Sequence, residues 1–375
     1  MAASQPVTTL NGNMADSITS ADFDHNGSVD IAIAYLEDNV IRVILNPSGT
    51  VTTYPVGDQP YDVVSGDLNG DGYADLVVVN DSLNSPNGTV SVLMNKGDGS
   101  GTFLPAVNYT VGRLPYQVAI GDLNGDGIPD LAITDLGPST ISILYGSTNG
   151  TFTTGPTLTV GTGEVNPYGI AIADFQRNGH PGIAVTAFET NMLYVFPNNG
   201  DGTFGTPYTY ATDVRPASLV VGDFNGDGIL DIVTGNTTAN DISFFAGNID
   251  GTFKAGVISP SLNFPVSIAA GDMNGDGIPD IVGVAPNYDE VVVSLGVGDG
   301  TFGTASQLES FPAGQQPWAL TLGTFFNDGK LDIATANTYD RVNLTVPAYQ
   351  VQYMNQFPPV PGGNPSAVVI QNTTK

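Results

Sequence analysis

Five nine-residue stretches hold most of the chemistry this sequence could perform. Asp22–Asp30 (DFDHNGSVD), Asp67–Asp75 (DLNGDGYAD), Asp122–Asp130 (DLNGDGIPD), Asp223–Asp231 (DFNGDGILD) and Asp272–Asp280 (DMNGDGIPD) all fit D-x-[DN]-x-[DN]-G-x-x-D. Side-chain oxygens at positions 1, 3, 5 and 9, a carbonyl at position 7 and a glycine that permits the sharp turn are what a hard cation with six to eight oxygen ligands requires. The ligands expected are Asp22, Asp24, Asn26, Ser28 and Asp30; Asp67, Asn69, Asp71, Tyr73 and Asp75; Asp122, Asn124, Asp126, Ile128 and Asp130. The last two sets are Asp223, Asn225, Asp227, Ile229 and Asp231, and Asp272, Asn274, Asp276, Ile278 and Asp280. Asn-Gly and Asp-Gly are also plain turn residues. Turn chemistry, however, does not call for three acids within nine residues, which repel one another without a counter-ion. Calcium at about five sites is therefore expected. The bidentate Glu at position 12 and the flanking helices of an EF-hand are missing, so the loops belong to another scaffold.

Two further copies are imperfect. Asp174–Gly182 has Gln176 and Gly182 at ligand positions, and Thr324–Asp332 has Thr324 and Phe326, so neither is expected to hold calcium well. All seven copies keep an apolar second residue (Phe23, Leu68, Leu123, Phe175, Phe224, Met273, Phe325), which predicts packing into the core with or without metal. The copies start at 22, 67, 122, 174, 223, 272 and 324, spaced 45 to 55 residues apart, close to one propeller blade. Alternating apolar runs such as Pro115–Ile120 precede the loops, and others such as Leu131–Ile133 and Thr140–Leu144 follow them. A Gly-Thr-Phe turn ending at Phe103, Phe152, Phe204, Phe253 or Phe302 leads to a fourth strand. With no helical period, the expected fold is all-β, a seven-bladed β-propeller of four-stranded blades over residues 5–353. The ring is expected to close through the N-terminal strand Pro6–Leu10 completing a blade whose third strand lies near Val342–Val346; Pro347–Tyr353 competes for that closing slot. Residues 354–375 read as a Pro/Gly-rich tail or linker.

Composition excludes several classes. Among 375 residues, 37 are acidic and 9 basic, a formal net charge of −28, which would repel nucleic acid and anionic membranes. Absence of cysteine removes disulfides, thiolate catalysis and Cys-ligated zinc. With 15 Tyr, 17 Phe and many β-branched residues the chain has the means to fold. No apolar stretch is long enough for a membrane-spanning helix, and no export signal is present at its start.

The loops together with the Gly-Asp-Gly-Thr-Phe turns resemble the FG-GAP/VCBS repeat family, the repeat that also builds the integrin α-subunit propeller. The resemblance covers about residues 5 to 350. It implies a calcium-binding, secreted or surface-exposed protein serving in adhesion or carbohydrate recognition, with a glycan or a cell-surface protein as partner. The repeated Trp and Arg sugar contacts of related fungal lectins are not found, since the chain has one Trp.

If the acidic loops and the Gly-Thr-Phe turns share one face, the loops entering each blade lie on the other. These carry Tyr61, Tyr116, Tyr168 and Trp318 just after proline, with Arg113 and Arg215 nearby. Aromatics beside polar groups near the axis suit a sugar or peptide; they suit equally a plug for the central channel. The two arginines would face an anionic group or pair with local aspartates. No catalytic residue is assigned: His25 and His180, the two histidines, both fall within acidic loops. A carboxylate pair on the entry face is the remaining route to a glycoside hydrolase or lyase, and a scaffold role in a larger surface protein is the third reading.

Overall fold

The computed structural model describes residues 14–82, 85–259, 263, 265–303, 309–326, 329–338 and 350–353. Every regular element among them is a strand, and each pairs antiparallel with its sequence neighbour. Six four-stranded sheets result: Ala15–Ala21 through Thr50–Pro55 (blade 1), Pro60–Gly66 through Val107–Thr110 (blade 2), Pro115–Gly121 through Thr153–Thr159 (blade 3), Pro167–Ala173 through Tyr208–Ala211 (blade 4), Pro216–Gly222 through Val257–Ser259 (blade 5) and Ser267–Gly271 through Glu309–Pro312 (blade 6). First strands of successive blades pack on one another, which puts them around the axis.

The seventh repeat departs from expectation. It forms a three-stranded sheet, Pro317–Gly323, Asp332–Asn337 and Gln350–Tyr353, so the expected seven four-stranded blades are corrected to six with a smaller seventh sheet. Counting acidic loops overcounted complete blades because a loop marks only the junction of a blade's first two strands, and the segments that complete the seventh sheet carry no repeat signal. Its third place is taken by Gln350–Tyr353, and both the 342–346 segment and the proposed closing strand 6–10 lie outside the described residues, as does the 354–375 tail. Closure among the described residues comes from packing. Pro317–Gly323 lies along Ala15–Ala21, Ser20 and Thr321 hydroxyls meet at 2.9 Å, and the Thr338 hydroxyl donates to the Ala15 carbonyl at 3.2 Å.

The second strands explain where the core sits. All six residues of each of the seven, Asp30–Tyr35 to Asp332–Asn337, are buried, because stacked blades cover both faces of each sheet. Each apolar cluster therefore joins neighbours; Phe23, Ile41 and Tyr54 of blade 1 share one with Leu76, Val78 and Phe103 of blade 2. The Phe of each Gly-Thr-Phe turn reaches back to the second loop residue of the preceding blade. Phe103 meets Phe23 edge-on at 5.4 Å between centroids, Phe253 meets Phe175 at 5.6 Å, and Phe302 meets Phe224 at 5.8 Å. The seven second-position residues are all buried, as their apolar character predicted.

Buried asparagines tie the same junctions. Asn198 Nδ2 donates to Leu123 O of blade 3 at 2.9 Å and to Pro181 O of its own loop at 2.8 Å, while its Oδ1 accepts the Gly200 amide at 2.8 Å. Asn95 does the same with Phe23 O and Ala74 O, and Asn46 reaches Phe325 O across the closing junction at 2.7 Å. Asn198→Ala strands buried partners, so it should destabilise the protein by about 1–3 kcal/mol. The melting temperature should fall both with calcium and in chelator; an unchanged value would deny the junction this role.

Candidate functional site

Each acidic loop links the first and second strands of its blade and is wound by its own side chains. The position-1 carboxylate caps the turn: Asp122 accepts the Gly125 and Gly127 amides at 2.7 and 2.8 Å, and Asp67, Asp223 and Asp272 repeat this. Position 5 then accepts the amide of position 7, as Asp126 does from Ile128 at 2.8 Å. Gly127, with φ near 82°, allows the reversal that lets these groups converge.

Position 9 opens the second strand and is wholly buried at Asp30, Asp75, Asp130, Asp231 and Asp280. Its two oxygens accept from two backbones: Asp130 Oδ2 takes the Leu123 amide and Oδ1 the Gly146 amide, both at 2.8 Å. One carboxylate thus fastens the loop to the end of the third strand. Burial is the largest cause pushing these groups up, to about 7 for Asp30 and about 6 for Asp75, Asp130 and Asp280; the neighbouring loop aspartates push further, and the two amides oppose. Asp22, Asp24 and Asp30 each present an oxygen within 4.8 Å of the others. The ion pairs formed among the described residues, Arg42–Asp38 and Arg215–Glu189, lie away from these loops. This all-oxygen set, with no ion-paired base beside it among the described residues, fits a hard divalent cation, and the other four loops carry the same donor types at the same positions.

The imperfect copies differ as their sequences imply. Asp174 still caps its turn through Asn178 and Gly179, but position 9 is Gly182, where a Cβ would lie 2.7 Å from Phe196 O. The backbone has closed over the space an aspartate fills elsewhere.

On the opposite face an axial cavity of about 710 Å³ opens among the first strands. The backbone aims its lining in a repeated way. At Gln59, Leu114, Asn166, Arg215 and Gln316 φ is positive, and each carbonyl accepts the amide of the residue following the second strand, for instance Asp81 N to Gln59 O at 2.9 Å. A register shift two residues on, as between Pro60 and Asp62, turns the intervening side chain to the axis. Tyr61, Tyr116, Tyr168 and Trp318 all line the cavity, as their positions predicted. Tyr61 and Tyr116 have centroids 6.0 Å apart, Tyr116 and Tyr168 4.4 Å, and Tyr168 stacks on Phe188 at 4.4 Å.

Arg113 and Arg215 are not among the lining residues. Arg215 lies 5.3 Å over the Phe188 ring and 4.0 Å from Glu189, and Arg113 acts on Asp81 by lowering an acid that burial otherwise raises. Both are thus engaged with local groups.

Sequence reading missed Asp16, Asp81 and Phe188, which also line the cavity. Asp16 stands six residues before its acidic loop, the register of Tyr61, Tyr116, Tyr168 and Trp318, but Ala15 replaces the proline that marked the others. Burial first, then the charge on Asp62, pushes Asp16 up to about 7. Asp62 itself is held by Ser17 Oγ at 2.9 Å and the Val118 amide at 3.1 Å, bridging blades 1, 2 and 3.

Radially stacked antiparallel sheets with oxygen-rich first loops define a repeat-built β-propeller. FG-GAP-like repeats match residues 22–78, 67–133, 125–185, 183–234 and 223–283, and an FG-GAP repeat matches 264–305. The chain belongs to the FG-GAP repeat family. Human integrin alpha-6 is 36% identical over 148 residues, covering 35% of this chain and 13% of the integrin, so only a small part of that relative is matched. A putative 6-phosphogluconolactonase from Bacteroides uniformis superposes with a TM-score of 0.61 at 14% identity, over 84% of this chain and 89% of that one. The periplasmic gluconolactonase of Pseudomonas aeruginosa gives 0.57 at 16% identity, over 80% and 86%. At such identities the likeness is one of fold. No helix among the described residues is long and apolar enough to cross a membrane.

The raised position-9 acids set a pH dependence. Between about pH 4 and their folded values near 6 to 7, the folded state keeps protons that the unfolded chain has released. Their contribution is full below that window and lost as pH rises through it; the exposed turn acids Asp98, Asp201, Asp250 and Asp299, lowered chiefly by Ser or Thr hydrogen bonds, oppose weakly. In chelator the melting temperature should fall from pH 4 to 7. A steady rise would contradict this account.

Proposed function

We propose that this chain is a calcium-stabilised propeller acting outside the cell as a binding module, with a glycan preferred over a protein ligand at the axial cavity. The observation that carries the reading is the assembly of Tyr61, Tyr116, Tyr168 and Trp318 around one cavity of about 710 Å³, a volume ordinary for small-ligand sites. Aromatic faces of this kind stack on sugar rings. The extracellular placement rests on the likeness to integrin alpha-6 and on loops suited to calcium. Five calcium ions would offset about ten of the 28 excess negative charges, so metal binding and stability are linked.

Catalysis is the second reading, favoured by the nearness of Asp16 and Asp62. Asp62, however, accepts hydrogen bonds on both oxygens from Ser17 and Val118, which leaves Asp81 as the other carboxylate of the lining that glycoside cleavage would need.

A glycan array with and without EGTA, joined to melting curves and calcium titration, tests the proposal. Asp126→Ala should remove one calcium equivalent and lower the calcium-saturated melting temperature, leaving glycan specificity intact. Trp318, 38% exposed, is the cleaner cavity probe, because Tyr116 is half-buried and packed between two other tyrosines. Trp318→Ala should cut a glycan signal at least tenfold with little change in melting. Glycan signals indifferent to that substitution would sink the cavity assignment, and product release from a bound oligosaccharide would favour the enzyme.

A further inference from the structure

The axial cavity is aromatic on one side and acidic on another, and the acid is not balanced. Asp16 meets no hydrogen-bond donor and no basic side chain among the described residues, and the charge that acts on it is that of Asp62. Asp81 adds a second carboxylate to the lining, while among the described residues no Lys, Arg or His lines the cavity. The nearest arginines bear on the lining from behind it, Arg215 over Phe188 and beside Glu189 and Arg113 on Asp81, which leaves Asp16 as the acid without a basic partner among the described residues.

Three ligand chemistries can be weighed against that lining. An anion would meet two carboxylates and the negative faces of the rings. A neutral sugar would stack on the rings but bring Asp16, an acid that burial raises to about 7, no positive partner. A cation satisfies both features, since the faces of Tyr, Trp and Phe attract it by their quadrupoles and Asp16 supplies the counter-charge.

We propose that the axial cavity binds a small organic cation whose alkyl- or quaternary-ammonium group sits between Asp16 and the wall formed by Tyr61, Tyr116 and Tyr168. This rests on the reading of the cavity as the ligand site and narrows its ligand to one carrying positive charge. An amino sugar and a choline-type headgroup share that chemistry. The strongly negative field of the whole chain would concentrate either one.

The test is calorimetric titration of the calcium-saturated full chain at neutral pH and fixed ionic strength. The probes are choline, its uncharged isostere 3,3-dimethyl-1-butanol, glucosamine and glucose. One charged probe should bind with 1:1 stoichiometry at least tenfold more tightly than its neutral counterpart; preference for choline identifies a headgroup, preference for glucosamine an amino sugar. Asp16→Asn should abolish that tenfold preference, whereas Asp58→Asn, the same charge change at an exposed position, should leave it intact. Trp318→Leu should weaken the charged probe too, which keeps the test decisive if Asp16→Asn melts early. Equal affinity for charged and neutral probes, equal losses in the Asp16 and Asp58 variants, or no binding by any probe would overturn the proposal. Glucose bound as tightly as glucosamine, with choline no tighter than its isostere, would do so while leaving the cavity's role as a glycan site standing; loss of that wider reading shows instead on the array with Trp318→Ala.

Discussion

A carboxylate buried at the start of a strand is costly unless its oxygens are satisfied, and this fold is arranged around that constraint five times over. Asp30, Asp75, Asp130, Asp231 and Asp280 each accept one amide from the acidic loop and one from the end of the third strand. The loop is thereby held open toward solvent with its remaining oxygens converging, while the second residue is driven into the core. Gly182 shows the alternative: without the carboxylate the backbone closes in, yet the blade persists because Phe175 still packs under Phe253.

That separation between packing and metal chemistry follows from where the apolar contacts run. Blades share clusters with neighbours rather than enclosing cores of their own, and the Phe of one turn completes the contact begun by the preceding loop. A repeat can therefore lose ligands and remain a blade. The Gly-Thr-Phe turn is dispensable too, since blade 1 forms its fourth strand, Thr50–Pro55, through Asn46–Gly49 instead.

The two faces differ because their backbones are built for different purposes. On the acidic-loop face, side chains bind backbone and leave further carboxylate oxygens facing outward. On the other, a left-handed residue and a register shift recur before the first strand and send one side chain per blade toward the axis. Repetition creates the ring, and its departures from repetition, Asp16 above all, give the ring chemical character.

Much of this was legible in the sequence. Strand composition, the 45 to 55 residue period, the acidic loops and the aromatics after proline are local signals, fixed by periodicity and turn chemistry. The position-2 anchors and the convergence of Tyr61, Tyr116, Tyr168 and Trp318 followed from register alone. Other features were decided only in three dimensions. Whether the seventh repeat completes a four-stranded sheet depends on which distant segment pairs with Asp332–Asn337, and Gln350–Tyr353 does so across a stretch without repeat signal. Arg113 and Arg215 share a sequence setting with the tyrosines, yet their long side chains settle on nearby acids and rings instead of the cavity. Asp16 carries no proline before it, and its environment is made by Asp62 of the next blade together with the enclosing aromatic wall. Burial and charge balance arise from contacts between blades, which is why the tertiary structure and not the repeat assigned that residue its place.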